Sequence, residues 1–507
     1  QPGPLLRKYC SSLKPTEREA LGQFILEAWL GEDTSPITRA EAENRAMQQA
    51  QQFVQWSQSS YWPANSPKKS LEEFYADFLP GLLLQPKGSG IASKGILSIA
   101  AACAGAAAAP AVGRYLKQWY GMRAAQCRAL VEMLAWIEHK TATQLLLSVG
   151  SRFRTKGIQE EANKQAQALA ERKGWTVAEL ADRTIPTAGL DEQGLLTLDF
   201  GSRQFIARLN VDMELTLADA DGKVLKSLPD PRKDDDETKA AEAKKMFSAA
   251  KKELKSVLTM QRDRLYEAMC TQRTWPFEEW NLYLNQHPVV RNHCQKLVWA
   301  VVRDEKIKTL FRPLADGSLT DANDDPVTLS PEEPIRVAHD CQVTPEQSLA
   351  WRQHLKDYEI EPLFEQFGRP NFNLEEERKQ EDELSDFHGH ILEAFKLRGR
   401  ANKLGYTRGQ AQDGGWFFDY HKRFPTLGIE AVLEFTGNGL PEENRTVALT
   451  SMRFERVATE GESAHSGEKL CLGEVPAVLL SECWNDLRQI AGEGPGFDPD
   501  WEKKTQM

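Results

Sequence analysis

A run of cations near the end of the chain has the residue types best suited to binding an anion. Five cations fall within thirteen residues, in the order Lys396, Arg398, Arg400, Lys403 and Arg408. No Asp or Glu lies among them, so a local positive field is expected, and arginine binds phosphate oxygens in pairs. Tyr406 and Trp416 lie nearby in sequence and could stack on a base. The run predicts a site for an anion or a nucleic acid, with the cationic last turn of a helix as the structural alternative.

Histidine and cysteine supply other candidate chemistry. His388 and His390 could ligate a metal together with His421, but residues two apart on a helix point to different faces, and partner ligands are not evident. We therefore expect no metal and no cofactor. The tripeptide His339-Asp340-Cys341 places a base beside a thiol. Neighbours in sequence need not be neighbours in geometry, so a turn at the end of a strand is the preferred interpretation.

A pair of glycines precedes an aromatic strand in the last part of the chain. Gly414-Gly415 follows Asp413 and comes before Trp416–Phe418, with Tyr420-His421-Lys422 beyond. Glycine permits a close approach of the backbone to a ligand, so a small polar pocket is one interpretation. A plain turn is the commoner use of two glycines and is the other.

The elements that would position these residues are clearest between 195 and 275. The first part of this stretch alternates apolar and polar residues, which is the period of half-buried strands, and Asp221-Gly222 predicts a type I′ hairpin turn. Apolar residues then recur at three- and four-residue steps from Met246 to Met269. This second period predicts one long helix over 236–275, which ties two regions together.

Residues 1–174 show a series of short amphipathic helical patterns. Paired helices of this kind predict a HEAT-like solenoid, with an irregular helical bundle as the alternative. The run 96–113 has eighteen residues without a charge and imitates a membrane span. Its many Ala and Gly residues and Pro110 favour closely packed helices instead, so no membrane partner is expected.

The remaining residues mix strand and helix patterns. We predict a central α+β domain over 175–372, which contains the β-meander and the long helix, and a C-terminal α+β domain over 387–507. The almost wholly charged stretch 373–386 between them predicts a solvated linker. The expected fold class is therefore an α+β multidomain protein with antiparallel sheets, preceded by the helical region.

Length and composition limit the classes of protein. The chain has 507 residues, 41% of them hydrophobic and 27% charged, and a net charge of −11. These values are ordinary for a soluble globular protein of several domains, and the acidic balance argues against a generally basic nucleic-acid coat. The eight cysteines are scattered without a CxxC pair, which is typical of reduced thiols in a cytoplasmic protein. The start at Gln1 suggests a fragment of something longer.

Six stretches of the later part of the chain are distinctive in combination: LTLDFGSRQFIARL, LPDPRKDDDETKAAEAKK, HPVVRNHCQKLVWAV, EIEPLFEQFGRPNF, DGGWFFDYHKRFP and EVPAVLLSECWNDL. Together they resemble the bacterial MolR-like (YehI-type) family. The resemblance covers roughly 170–507 well and the helical part loosely. It implies the C-terminal portion of a long cytoplasmic bacterial regulator with a large domain of unknown function. Many members carry an N-terminal WGR domain and helical repeats, but no WGR module is visible in this sequence.

Two classes of function follow. The spacings of the common phosphate-binding, acyl-transfer, zinc and kinase motifs are absent from the sequence. This favours a non-catalytic scaffold or interaction protein that binds a protein partner, or a nucleic acid. The alternative is an enzyme of unknown reaction, with a nucleotide- or phosphate-binding pocket in the C-terminal domain. A pocket with convergent polar groups would favour the enzyme.

Overall fold

The computed structural model describes residues 1–59, 62, 67–83, 86–153, 155–210, 212–304, 306–457 and 467–505. Residue contacts divide the chain into two compact units, Gln1–Ile185 and Pro186–Met507. The first unit is helical and the second mixes helices with antiparallel sheets, as the sequence predicts. The finer division of the later residues into a central and a C-terminal domain stays a prediction.

The first unit is built from helices around a main apolar core, with a smaller apolar cluster that includes Ala42, Ala46 and Leu82. The helices are α1 (Pro4–Ser11), α2 (Pro15–Thr34), α3 (Arg39–Ser57), α4 (Leu71–Leu83), α5 (Leu97–Cys103), α6 (Ala108–Trp119), α7 (Ala124–Leu134), α8 (Lys140–Arg152), α9 (Lys156–Lys173) and α10 (Val177–Arg183). Leu26, Trp29, Leu130 and Leu146 lie in the core. The helical prediction is confirmed, while stacking of the HEAT type stays a prediction.

The uncharged run 96–113 is divided between α5 and α6. Ala100, Ala108 and Val112 in this run are fully buried in the core, because small side chains let neighbouring helices approach closely. Across the residues that the structure describes, no helix combines the length and the apolarity that a membrane crossing requires.

The described residues of the second unit form three antiparallel sheets. Its strands are β1 (Leu195–Asp199), β2 (Gln204–Leu209), β3 (Leu215–Asp219), β4 (Val224–Leu225), β5 (Trp275–Pro276), β6 (Trp299–Arg303), β7 (Lys306–Pro313), β8 (Leu319–Thr320), β9 (Pro334–Val337), β10 (Glu383–Leu384), β11 (His390–Glu393), β12 (Thr407–Arg408), β13 (Phe417–Phe424), β14 (Ile429–Asn438), β15 (Thr446–Arg456), β16 (Lys469–Leu470) and β17 (Gly496–Phe497). The sheets run β1-β2-β3-β4, β5-β9-β6-β7-β8 and β12-β13-β14-β15-β11-β17, with β10 and β16 also paired to β15.

The helices of the second unit connect and cover these sheets. They are α11 (Glu237–Cys270), α12 (Phe277–Trp280), α13 (Arg291–Cys294), α14 (Pro345–Asp357), α15 (Ala394–Lys403), α16 (Ala477–Ala491) and α17 (Trp501–Lys504). Two of them matter for the candidate site. The long helix α11 contacts β1, β9 and α16, and α16 also contacts α15 and β11.

The predicted long helix is present as α11. The Asp236 carboxylate accepts hydrogen bonds from the Thr238 and Lys239 N–H groups, which satisfies two free donors of the first turn. Its buried stripe includes Phe247 and Leu254, whereas Met246, which the sequence pattern places in the stripe, is 42% exposed.

Two local predictions differ from the structure. The turn between β3 and β4 has four residues, Ala220–Lys223, because the Asp219 carboxylate accepts from the Asp221 and Lys223 N–H groups. Gly222 supplies the positive φ, 81°, that closes it.

The charged stretch 373–386 is not simply a solvated linker, since its residues Glu383–Leu384 form β10, which pairs with β15. Backbone hydrogen bonds of this kind do not require apolar side chains.

Candidate functional site

The predicted cations lie on α15 and on β12, where distant residues supply carboxylates. Arg398 Nη1 and Arg408 Nη1 lie 2.9 and 3.1 Å from the two carboxylate oxygens of Glu442. Arg400 Nε donates to Glu493 Oε1 at 2.7 Å. The lack of acidic residues within 396–408 therefore does not leave the positive field unopposed, because the fold brings carboxylates to three of the cations.

We call these five cations together the α15 surface: Lys396, Arg398, Arg400, Lys403 and Arg408. Lys396, Arg400 and Lys403 share one face of α15, whereas Arg398 lies on a different face and meets Arg408 at Glu442. Lys396 and Lys403 are exposed. The side chains of Arg398 and Arg408 keep 41% and 42% of their exposure despite their ion pairs. Three of the five cations contact the two carboxylates of Glu442 and Glu493, so the cations outnumber the carboxylates that contact them.

The two aromatic residues predicted to stack on a base occupy different environments. Tyr406 is 1% exposed, and its hydroxyl donates to Asp486 Oδ2 at 3.2 Å. Its ring therefore cannot stack on a ligand at the surface. Trp416 is half-buried, and the guanidinium carbon of Arg445 lies 5.1 Å from its ring centroid.

The three histidines considered as metal ligands have other partners. Nδ1 of His388 and Nδ1 of His390 lie 2.9 and 3.0 Å from backbone carbonyl oxygens. His421 Nε2 lies 3.2 Å from Asp419 and its Nδ1 lies 3.3 Å from Glu430. Burial lowers the pKa of His421, but these two carboxylates outweigh burial and raise it to about 9. Within the described ranges no group of three or more His, Cys, Asp and Glu residues could hold a metal ion.

The two glycines lie in a short 3-10 turn, Asp413–Gly415, just before β13. Gly414 and Gly415 both have φ near 79°, and the Gly415 carbonyl oxygen accepts from the Leu440 N–H at 2.9 Å.

An open cavity of about 470 Å³ lies elsewhere, at the stretch 378–386. It is lined by Arg378, Glu381, Asp382, Glu383, Ser385 and Asp386. Its mostly acidic lining suits a cation rather than a phosphate.

The strongest concentration of titratable groups is buried, and sequence reasoning missed most of it. Glu482 on α16 is 1% exposed. One of its oxygens accepts from Tyr266 of α11 at 2.6 Å, and the other contacts His339 Nε2 at 3.2 Å and the Arg369 guanidinium. Burial raises the pKa of Glu482, but His339 and Arg369 lower it to about 2. The carboxylate is therefore charged inside the unit.

A second ion pair lies one helical turn along α16. Lys422 Nζ of β13 donates to Asp486 Oδ2 at 2.8 Å, and the rings of Tyr266, Tyr406 and Phe424 lie around the ammonium. Burial lowers the pKa of Lys422, but the Asp486 carboxylate outweighs burial and raises it. We call Tyr266, His339, Arg369, Tyr406, Lys422, Glu482 and Asp486 the buried cluster.

A sequence signal for the buried cluster does exist. Glu482 and Asp486 are four residues apart in the otherwise uncharged and mainly apolar stretch AVLLSECWNDL. Carboxylates at i and i+4 share a helix face, and that face must meet cations if the helix is buried. The position of these cations, Lys422 and Arg369, does not follow from the local pattern.

The predicted neighbours His339 and Cys341 meet at the edge of the buried cluster. Residue 339 follows β9 and caps a short 3-10 helix, Asp340–Gln342, with its Nδ1 accepting from the Cys341 N–H at 3.1 Å. The Cys341 thiol donates to Asn371 Oδ1 at 3.4 Å. Burial lowers the pKa of His339, while hydrogen bonds with the Cys341 thiol and Glu482 raise it to about 9.

The arrangement contains two chemically different regions. The α15 surface is open to solvent and can hold anionic groups. The buried cluster is closed at Lys422 and Asp486, where the charges satisfy each other, but its other end reaches Cys341, which is half-buried. Perturbed pKa values occur both in functional sites and in structural ion pairs. The solvent exposure of the groups is therefore needed to tell a functional site from a structural ion pair.

Comparisons with known proteins give partial similarities but no reaction. Residues 222–406 match the family model described as "Domain of unknown function (DUF4132)". The "Uncharacterized protein YehI" of Escherichia coli (strain K12) is 29% identical over 343 residues. This alignment covers 67% of the chain but 27% of that relative's length. No solved structure matches the chain. The two matches support a relationship to a DUF4132/YehI-like family.

Proposed function

We propose that this protein is a scaffold or interaction protein, and that its α15 surface binds an acidic partner protein. The observation that carries the proposal is that Arg398 and Arg408 are held by Glu442 while about two fifths of each side chain stays exposed. Cations already held in place lose less conformational freedom on binding than free side chains do. Lys396 and Lys403 are exposed and share a face of α15 with Arg400.

A protein partner is favoured over nucleic acid by the burial of Tyr406. Proteins that bind single strands combine a cationic groove with aromatic rings on which bases stack. The α15 surface has the cations, but Tyr406 is 1% exposed. Complementary charge steers an acidic protein surface to its partner without aromatic stacking, and the cations supply that charge. Nucleic acid is kept as the alternative partner.

The enzyme alternative, a nucleotide- or phosphate-binding pocket in the C-terminal domain, has less support. Lys422 is a cation of this part of the chain that could contact a phosphate, but it is buried and pairs with Asp486. The open cavity at 378–386 is lined mostly by acidic residues, which repel phosphate. The relative YehI is described as an uncharacterized protein, and this description states no activity.

Several wider features belong to the same proposal. We propose that the helical unit stacks in HEAT-like repeats and that the protein is cytoplasmic, in agreement with eight free cysteines. We also propose that the chain is part of a MolR-like regulator, a family in which WGR domains occur. The activity and the partners of the whole protein are proposals too, because the alignment spans 27% of the relative's length.

The binding proposal is tested with charge reversal at the exposed lysines. The variant Lys396→Glu/Lys403→Glu reverses two charges without breaking an arginine ion pair. We expect its affinity for a fluorescein-labelled polyglutamate peptide, measured by anisotropy at low salt, to fall at least about tenfold. Addition of salt should weaken wild-type binding, because exposed charges are screened.

The matched control is Lys140→Glu/Lys164→Glu, which makes the same change in net charge at exposed lysines of the first unit. We expect this variant to bind within about twofold of wild type. An equal loss in both variants, or no binding of the peptide by wild type, contradicts the proposal. Tighter binding of a short oligothymidine than of the peptide, lost in the same variant, would replace the protein partner by nucleic acid.

A further inference from the structure

Helix α11 carries a row of cations along one side. Lys244, Lys251, Lys255 and Arg262 follow one another at steps of seven, four and seven residues within this helix. A helix advances by about 100° and about 1.5 Å per residue. The four side chains therefore lie within about 40° of one another around the helix axis, along a length of about 27 Å. We call these four cations the α11 row.

The packing of α11 leaves this row open to solvent. Three of its members are exposed, and Lys244, the fourth, is half-buried. The buried stripe of the same helix, which includes Phe247 and Leu254, lies on another side. At the border between the two sides, the Lys251 ammonium lies 4.3 Å from the centroid of the Phe247 ring. A cation over an aromatic face keeps its charge, so the row presents its full positive charge to solvent.

Few carboxylates oppose the charge of the α11 row. Lys244 pairs with Asp230, whose side chain is 97% exposed, and exposed pairs of this kind are weak. Over the described ranges, no carboxylate lies within ion-pair distance of the other three members. The one acidic residue between 244 and 262 is Glu253, which the helical period places on the side away from the row. In the α15 surface, by contrast, carboxylates contact three of the five cations.

Other polar side chains widen this cationic side of α11. Lys245 and Lys252 are exposed, and the helical period places them next to the row. Ser248 is exposed as well and lies between these two lysines and the row. The one aromatic residue between 244 and 262, Phe247, is 7% exposed. The surface therefore offers cations and a hydroxyl, which bind phosphate oxygens, and no ring on which a base could stack.

We propose that the α11 row binds the phosphate backbone of duplex nucleic acid, independently of base sequence. Duplex DNA carries one negative charge for about every 1.7 Å of its axis, and a length of about 27 Å corresponds to about eight base pairs. Cations spaced along that length neutralise several phosphates and release their counterions. This site uses residues other than the α15 surface and does not depend on the partner proposed there.

The composition of the row favours a duplex over other anions. Proteins that hold single strands add exposed aromatic rings to their cations, and this side of α11 has none. An acidic protein places its carboxylates only where its own fold puts them, whereas a duplex is a stiff rod with regularly spaced charges. Three of the four members are lysines, which bind phosphate as flexible point charges and do not form the paired contacts that arginine makes with a base. The expected binding is therefore insensitive to sequence.

Neutralisation of two members of the row tests the proposal. The variant Lys251→Gln/Lys255→Gln removes two exposed charges, and glutamine forms helix about as well as lysine. Anisotropy of a fluorescein-labelled duplex of about 20 base pairs measures binding between about 50 and 200 mM salt. We expect the wild-type affinity to fall with salt with a log–log slope of about −3.5. The variant should bind at least about tenfold more weakly at low salt, with a slope shallower by about two. A duplex of another sequence should bind within about threefold of the first.

The matched control is Lys306→Gln/Lys469→Gln, which makes the same change in net charge at exposed lysines of the same unit. It should bind the duplex within about twofold of wild type. The α15 variant Lys396→Glu/Lys403→Glu should also keep duplex binding within about threefold, so that failure of one site is distinguished from failure of the other. An unchanged salt slope in a folded Lys251→Gln/Lys255→Gln variant, an equal loss in the matched control, or no binding of the duplex by wild type at low salt overturns the proposal. Tighter binding of oligothymidine or of polyglutamate than of the duplex, lost in the same variant, overturns the choice of a duplex as the ligand.

Discussion

Arg398 and Arg408 both contact the carboxylate of Glu442, and this contact partly neutralises the positive charge that the sequence predicts. An arginine in a run without acidic neighbours is expected to be free for a ligand. Here the acid comes from 44 and 34 residues away in sequence. Exposed ion pairs of this kind contribute little to stability. The exposed parts of both arginines therefore stay available to a partner's carboxylate while Glu442 holds them in place.

His421 gives a residue-scale prediction about pH. Its charged form is stabilised by Asp419 and Glu430, of which Glu430 also pairs with Arg423. Because its folded pKa is raised to about 9, the stability that it contributes is fully present below about 6.5 and is lost as pH rises through about 9. We expect His421→Gln to lower the free energy of unfolding at pH 6 by on the order of 2 kcal/mol, and by much less at pH 10.

Urea denaturation at several pH values measures this difference. His388→Gln is the control, because His388 contacts the Thr450 carbonyl oxygen rather than a carboxylate. The control should show no comparable change in the stability difference over this pH range. A His421→Gln effect that is constant from pH 6 to 10 would show that the ring contributes through packing and not through its charge.

Helix α11 shows how much one element can be defined by its own sequence. Its start is capped by Asp236, and its apolar residues recur with the helical period along 34 residues. An isolated helix with so mixed a surface would be marginal in water, so its stability comes from the packed stripe. The sequence pattern predicts that Met246 is buried, whereas the structure buries the neighbouring Phe247. The apolar period therefore predicts the buried face of the helix only to within about one residue.

A pair of substitutions tests the packing of α11. Leu254 is 4% exposed and Met246 is 42% exposed, and both are long apolar residues of the same helix. Leu254→Asp should lower the free energy of unfolding by about 3 kcal/mol or more, because it buries an unpaired carboxylate. Met246→Asp should cost less than about 1 kcal/mol. Thermal melting followed by circular dichroism compares them, and equal melting temperatures would contradict the described packing.

At the scale of the whole second unit, buried charge links segments that are far apart in the chain. Tyr266 and Glu482 are separated by 216 residues, and Lys422 and Asp486 by 64. Buried ion pairs gain little net stability relative to apolar packing, but removing one partner leaves an uncompensated charge. The buried cluster therefore favours one arrangement of α11, β13 and α16 over others.

Breaking and then neutralising the pair tests this role. Lys422→Met leaves Asp486 unpaired and should lower the free energy of unfolding by about 3–5 kcal/mol. The double variant Lys422→Met/Asp486→Asn removes both charges and keeps a polar partner for Tyr406, so it should recover much of the loss. Lys469→Met is the control, since Lys469 pairs at the surface with Asp382, and it should change stability by less than about 1 kcal/mol. Urea unfolding followed by tryptophan fluorescence measures all three; a double variant no more stable than Lys422→Met would contradict the account.

The sequence by itself determined the features that depend on short range. The helical first part, the antiparallel strands, and the position of α11 follow from residue period and capping, because these act over a few neighbouring residues. Tertiary structure alone decided which charges meet. Glu442 contacts Arg398, the Tyr406 hydroxyl donates to Asp486 in the interior, and Glu482 lies beside His339. The physical reason is that an ion pair or a buried hydrogen bond is selected by the packing of whole elements, and a local pattern carries no information about a partner many residues away.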